Sequence, residues 1–490
     1  MATDTGGRDA RLGFHSIDAE LDTDLEVDGE VPSWLDGSLI RNGPGSFELG
    51  GSTVGHWFDG LAMLRKFSFD DGTVRYRNRF LRTDAYADAV EGEYRGGFGT
   101  DGSMSPIERL VALVTPPAPT DNTNIDVWRF GDEYAALTET EHLTLFDPET
   151  LETTGLTTYL GEPYGQHVTG HPHHDDERGE TVGMSTYFGR QPEYRLWRQP
   201  DGQWSREHVA SLPVDEPAYL HSFGLTDRYV VVVEFPLVVS PLKLLLPSNE
   251  AFIKRFDWTP ERGTRYRVVD RATGEVVADP VGDAFFCFHH VNAYEDTVGH
   301  GPTGNRPAAD GGDELVLDMV TCPDSEAITE LYFDDVGGPS SWEMEGGRLT
   351  RARVDPGAGT VTTREIHGGH LGLPRVSPEV TASEYRYAYA QGSPGQPITG
   401  LPEHVLKVDV ETGEDQWYDA GGYTSEAVFV PRPDGTAEDD GVVLAVVLDP
   451  EAERSVLHVV DGETMTALAR APLPHALPLD FHGQFLEGVR

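Results

Sequence analysis

A strand–turn–strand unit recurs along the chain: an alternating strand, an acidic or glycine turn, then a second alternating strand. It reads RKFSFDDGTVRYRNRF (65–80), LTLFDPETLETT (143–154), YRLWRQPDGQWSRE (194–207) and YRVVDRATGEVV (266–277). It returns as TRARVDPGAGTVTTREI (350–366), VLKVDVETGEDQWY (405–418) and LHVVDGETMTALAR (457–470). The turns centre on Asp71, Asp147, Asp201, Asp270, Asp355, Asp409 and Asp461, at intervals of 52 to 85 residues. Seven antiparallel units in one phase must each bury a face against a neighbour and hide their edges, and radial closure does both. Helical periodicity is scarce, so an all-β class is expected. The reading is one seven-bladed β-propeller domain over 1–490, with loops and short helices inserted over one face. A β-sandwich plus a second domain is the runner-up, but it does not predict one phase from residue 65 to 470.

The phase extends to histidine. His171 follows Asp147 by 24 residues, His221 follows Asp201 by 20, His289 follows Asp270 by 19, and His482 follows Asp461 by 21. Each falls where the next blade's innermost strand begins, so the four converge on the propeller axis. Four imidazoles in an apolar setting cannot all be protonated. A metal ion is the economical solution, since neutral imidazole is the commonest protein ligand for first-row metals. His173, His174 and His290 neighbour these positions and are alternatives for the same slots. His56, His142, His300, His367 and His404 fall off the phase and are expected at the surface or in loops.

Two carboxylates share a second regularity. Glu426 lies 17 residues after Asp409, and Glu139 follows Asp71 after a long insertion. Carboxylates placed behind ligating imidazoles accept the second ring N–H, fix the tautomer and raise ligand basicity. The corresponding position after Asp355 is Gly372, which carries no charge.

Bulk composition excludes several functions. The chain carries 83 acidic and 37 basic residues, a net charge of −46, with only four lysines. Such a surface repels phosphates, so no nucleic-acid partner is expected. Like charge at this density needs screening, and molar salt shortens the Debye length to ~3 Å, which points to a salt-loaded cytoplasm. Only Cys287 and Cys322 are present, which rules out a disulfide framework and suits a reducing compartment. No signal peptide or spanning segment is legible.

The residues together resemble the carotenoid cleavage oxygenases, a family of carotenoid-, retinoid- and stilbene-acting non-haem iron enzymes, here as a haloarchaeal-type member. The resemblance runs through LIRNGPGSFELGG, HWFDGLAMLRKFSF, TETEHLTLFDPETLETTG, TGHPHHDD, LHSFGLTDRYVVVVEFPL, FHHVNAYED, LPRVSP, SEAVFVPRP and DFHGQF. It implies Fe(II) held by His171, His221, His289 and His482, with Glu139 and Glu426 behind them. It also implies that two of six metal positions stay free for O₂ and a water, with Thr138 beside them controlling access. A glutamate is usual where this chain has Gly372, which puts the orientation of His289 in question.

The implied activity is oxidative cleavage of one C=C bond of a carotenoid or apocarotenoid into two carbonyl products. Stilbene cleavers tend to carry lysine at the Thr138 position, which disfavours stilbenes. Retinoid or carotenoid isomerisation and a non-catalytic carotenoid-binding propeller are the alternatives. A Ca²⁺-dependent propeller hydrolase would use carboxylate and amide oxygens instead. A polyene must come from a membrane. The expected contact, peripheral on the inner membrane face, is the segment 237–252: Leu237, Val238, Val239, Leu242, Leu244, Leu245, Leu246 and Phe252.

Overall fold

Every hairpin of the repeat is present, and in most of them the aspartate has a local reason to be there. The Asp147 carboxylate accepts from the backbone N–H groups of Glu149 and Thr150, at 2.9 and 2.8 Å. Asp270 does the same for Ala272 and Thr273, and Asp409 for Glu411 and Thr412. Such side-chain turns let two strands reverse without leaving N–H groups unpaired. In the first hairpin Asp71 and Gly72 both take positive φ, 44° and 81°, the mirror-image turn that matches strand twist.

The computed structural model describes residues 10–49, 52–92, 97–112, 119–296, 314–333 and 344–490. Its strands form seven antiparallel sheets arranged as the blades of a β-propeller. From the axis outward, blade II is Asp126–Phe130, Glu133–Leu137, His142–Phe146 and Thr153–Thr158. Blade III begins with the short pieces His167–Val168 and His173–Asp175, then Glu180–Tyr187, Glu193–Pro200 and Glu207–Pro213. Blade IV is Gly224–Leu225, Tyr229–Glu234, Thr264–Asp270 and Val276–Ala278. Blade V runs Phe286–Asp296, Glu314–Cys322, Arg348–Asp355 and Thr360–His367. Blade VI runs His370–Arg375, Tyr387–Ser393, His404–Asp409 and Asp415–Asp419.

The remaining two blades close the ring with both ends of the chain. Blade I takes its innermost strand, Gly483–Glu487, from the far end of the sequence, paired to Gly37–Ser46 from Gly37↔Glu487 to Arg41↔Gly483. Outside these lie Leu61–Asp70, Thr73–Phe80 and the early strand Asp22–Leu25. Blade VII runs from Tyr423–Thr424 and Val428–Pro431 through Gly441–Asp449, Arg454–Asp461 and Ala467–Pro472. The early strand Asp28–Gly29 completes its outer edge.

The alternating strands pack face to face between blades. One apolar cluster joins blades III, IV and V through Leu196, Val231, Val268 and Leu317, all fully buried. A second joins blades VII and I through Leu444, Leu457, Phe67 and Tyr76. Among the described residues, insertions supply four short α-helices, Asp84–Glu91, Pro106–Ala112, Pro241–Leu245 and Glu326–Thr329. All four contribute residues to the wall of one large cavity on the face above the axis.

Two expectations change. The segment 237–252 is not one exposed patch: Leu237, Val238 and Val239 are buried, because Leu237–Val238 pairs with Asp257–Trp258. Phe252 and Leu244 are partly buried against the core. Only Leu242 and Leu246, 71% and 62% exposed, face outward, and the Leu245 side chain lies outside the described residues. His56 and His367 are buried rather than superficial, His56 with Nε2 against the Ile328 carbonyl at 3.1 Å and His367 with Nε2 against the Asp415 carboxylate at 2.8 Å. His300 lies outside the described residues.

Candidate metal centre

Each of the four in-phase histidines lies on, or within three residues of, an innermost strand. His171 lies between the two short pieces of blade III, and His221 lies just before Gly224–Leu225. His289 lies within Phe286–Asp296, where the register shifts between Cys287 and His290, and His482 immediately precedes Gly483–Glu487. Their ligand atoms all lie within 4.8 Å of one another. His171 and His221 approach Nε2 to Nε2 at 3.0 Å, and His289 and His482 at 3.1 Å. His173 instead turns Nε2 to the Phe223 carbonyl, His174 pairs with Asp176 and Asp201, and His290 bonds Ser222. Those three stand outside the cluster.

The carboxylates decide the tautomers. Glu139 Oε1 accepts from His221 Nδ1 at 2.6 Å and from the Tyr219 hydroxyl at 2.9 Å. Glu426 Oε1 accepts from His482 Nδ1 at 2.7 Å and from Arg375 Nε at 2.8 Å. Its second oxygen takes Arg41 and the Gly483 N–H. With the proton held on Nδ1, each Nε2 turns a lone pair toward the centre of the cluster. Burial alone would push the Glu139 carboxyl up; the imidazoles of His167 and His221 outweigh it and hold it at about 2. Burial likewise raises Glu426, but Arg375, Arg41 and His482 drive it far below the usual carboxylate range. Burial, and then the neighbouring imidazoles, hold His171 and His289 well below the ordinary histidine value. Both are therefore neutral at physiological pH.

This donor set fits a first-row divalent ion. Imidazole nitrogens bound at about 2.1 Å and at right angles to each other stand about 3.0 Å apart, the spacing of both close pairs. Among the described residues no carboxylate intrudes between the four nitrogens, and where Nδ1 keeps the ring proton a cation satisfies the converging Nε2 lone pairs. Four neutral nitrogens suit iron, copper, nickel or zinc rather than calcium or magnesium.

Several participants were not legible in the sequence. Asp126, 1% exposed, stands 3.8 Å from His171 Nδ1. His167 lies 3.5 Å from Glu139 and stacks on Phe252. Arg41 bridges Glu426 and Asp480, and Tyr219 braces Glu139. At Gly372 a Cβ would come 3.2 Å from the side-chain nitrogen of Gln391, so an amide abuts the position expected to carry a carboxylate. Thr138 is 7% exposed.

The cluster opens on a cavity of about 1210 Å³, with His221, His289, His482, Thr138 and Glu139 on its wall. Phe58, Phe98, Phe252, Phe288 and Phe481 supply aromatic surface, Phe288 packing on His221 with ring centroids 5.5 Å apart. Arg255 is the only arginine or lysine on that wall among the described residues.

Comparisons with known proteins agree with this architecture. Residues 14–487 match the family model described as retinal pigment epithelial membrane protein. The β,β-carotene 15,15′-dioxygenase of Gallus gallus is 31% identical, over 94% of this chain and 95% of that protein. The carotenoid isomerooxygenase of Galleria mellonella is 32% identical, over 98% and 96%. A variant of the Synechocystis apocarotenoid oxygenase superposes with a TM-score of 0.84 at 26% identity, over 98% of both chains.

Proposed function

The chain belongs to the retinal pigment epithelial membrane protein family, and from that premise we propose that it is an Fe(II)-dependent dioxygenase. Its reaction is cleavage of one C=C bond of a carotenoid or apocarotenoid into two carbonyl products. The observation that carries this reading is the convergence of four imidazoles at one point, three of them on the wall of a large, aromatic-lined cavity. Ferrous iron held by His171, His221, His289 and His482 supplies the activation of dioxygen that a closed-shell polyene does not undergo unaided.

The chain's own residues do the rest. Phe58, Phe288 and Phe481 offer flat apolar faces to a conjugated chain and exclude water from the reacting bond. Glu139 and Glu426 hold the Nδ1 protons of His221 and His482, so that Nε2 stays a donor. The Glu139 charge offsets part of that of a dication in a dry site, while Glu426 also balances Arg375 and shares Arg41 with Asp480. Thr138 presents a neutral hydroxyl on the cavity wall next to Glu139 and limits access to the open side of the centre. An apolar cavity without lysine favours a polyene over a phenolic stilbene.

Leu242 and Leu246 are exposed, as are Ile107 and Val111 of the helix Pro106–Ala112, and we assign these four to one apolar rim. The segments carrying them are tied together by the Met104 N–H on the Asn249 side chain at 3.0 Å. Pro247, Asn249 and Met104 also line the cavity, so the rim is the side from which a membrane-borne polyene enters by peripheral contact. No helix among the described residues is long and apolar enough to cross a membrane.

Anaerobic reconstitution with Fe(II), then incubation with β-carotene and apocarotenals in high salt under O₂, tests the reading. Chromatography should show two carbonyl fragments. An isomerised, unbroken polyene would replace cleavage with isomerisation, and iron bound without O₂ uptake would leave only a carotenoid-binding role.

A further inference from the structure

The four imidazoles are not supported alike. Glu139 backs His221 and Glu426 backs His482, each within hydrogen-bond distance. His289 has no carboxylate within 4.0 Å among the described residues. His171 has one, Asp126, whose Oδ2 stands 3.8 Å from Nδ1.

Asp126 is placed as a built feature of the axis. It opens the innermost strand of blade II, Asp126–Phe130, and is 1% exposed. Oδ1 accepts from the Val127 N–H at 2.7 Å, and Gln484 Nε2 lies 3.3 Å from Oδ2. Its backbone carbonyl takes Asn42 Nδ2 at 3.0 Å, and the neighbouring Ile125 carbonyl takes the His482 N–H at 3.3 Å. No lysine or arginine stands within 4.0 Å of the carboxylate among the described residues, and Arg375 directs its donors to Glu426 and the Gly483 carbonyl. A buried carboxylate served only by neutral amides is costly. A cation held through His171 removes that cost, because the imidazole then presents a polarised Nδ1–H to Oδ2.

We propose that Asp126 is a positioning residue of the metal centre, orienting His171 through Nδ1 as Glu139 and Glu426 orient their partners. The inference rests on the metal-centre reading above. It implies that carboxylate support has been redistributed: the position at Gly372 carries none, and a third carboxylate stands behind a different histidine.

The test uses Co(II), whose visible bands report ligand geometry. Asp126→Asn should weaken Co(II) binding about 10- to 100-fold in chelator competition and shift the bands. Gln484→Leu, which removes the other side-chain contact of Asp126, should change neither. Wild-type affinity and bands in Asp126→Asn would overturn the proposal, as would an equal loss in Gln484→Leu. Should Asp126→Asn fail to fold, Asp126→Glu decides, since it keeps the charge with a longer reach. Shifted bands with affinity within about threefold support the proposal, and unshifted bands refute it. A wild-type protein that binds no Co(II) at all would overturn the metal-centre reading itself, a result distinct from a variant that matches a metal-binding wild type.

Discussion

The imidazole of His482 donates from Nδ1 to Glu426 across 2.7 Å, and the same carboxylate receives the guanidinium groups of Arg41 and Arg375. Glu139, by contrast, takes no guanidinium and is held by the Tyr219 hydroxyl and the His221 imidazole. On the proposed reading the two glutamates perform one task for the metal, but their tasks for the fold are unequal. Both Glu426→Gln and Glu139→Gln should weaken metal binding about 10- to 100-fold. Glu426→Gln also leaves buried guanidinium charge uncompensated and should cost about 3–5 kcal/mol of stability. Glu139→Gln should cost about 1–3 kcal/mol. Chelator competition and urea unfolding of the metal-free variants separate the two effects; equal stability losses would contradict the assignment.

The end of the sequence separates ligand from scaffold. The His482 carbonyl accepts from the Asn42 N–H at 2.7 Å through the backbone alone. His482→Ala should therefore fold normally and bind no iron. Removing residues 482–490 deletes the axial strand of blade I and bares the edge of Gly37–Ser46. That protein should aggregate or unfold. Circular dichroism with metal analysis tests both, and full iron retention by His482→Ala would remove it from the ligand set.

Acid should unfold the protein through histidines outside the four-histidine cluster. Burial pulls His56, His370, His458 and His475 down to about 4, against an ordinary value near 6.5. Between these values the unfolded chain binds protons that the native state refuses. Their contribution to stability is therefore intact above pH 6.5 and is lost progressively as pH falls toward 4. Urea midpoints at constant salt should decline across that window, and His458→Gln should flatten the decline. An unchanged slope in that variant would show that its burial does not matter.

The rim can be separated from the chemistry. Leu242→Asp combined with Leu246→Asp should abolish sedimentation with phosphatidylcholine vesicles in molar salt. Turnover of an apocarotenal dispersed in detergent should persist. Loss of turnover with vesicle binding intact would place these leucines inside the cavity's function instead.

The repeat was readable because two local rules, strand alternation and the aspartate-capped turn, act within a dozen residues. The four histidines were readable because they inherit that phase. Asp126 was not, since the insertion between Phe80 and the strand Asp126–Phe130 breaks the count from Asp71. Arg41, Tyr219 and His167 matter through partners 385, 80 and 28 residues away, which no local rule reaches. The expected apolar patch failed at Leu237–Val239 for a related reason. A two-stranded pairing with Asp257–Trp258 turned those side chains inward, and hydropathy alone does not register a partner strand.

Delivery of His482 by blade I's axial strand sets an order of events during synthesis. The third imidazole leaves the ribosome 193 residues ahead of the fourth, and until then blade I lacks the strand that would seat it. A nascent or prematurely terminated chain therefore offers at most three of the four nitrogens and no finished pocket. On the proposed reading, the full ligand set exists only once residue 482 has been made, so incomplete copies would lack the four-nitrogen site for a redox-active ion.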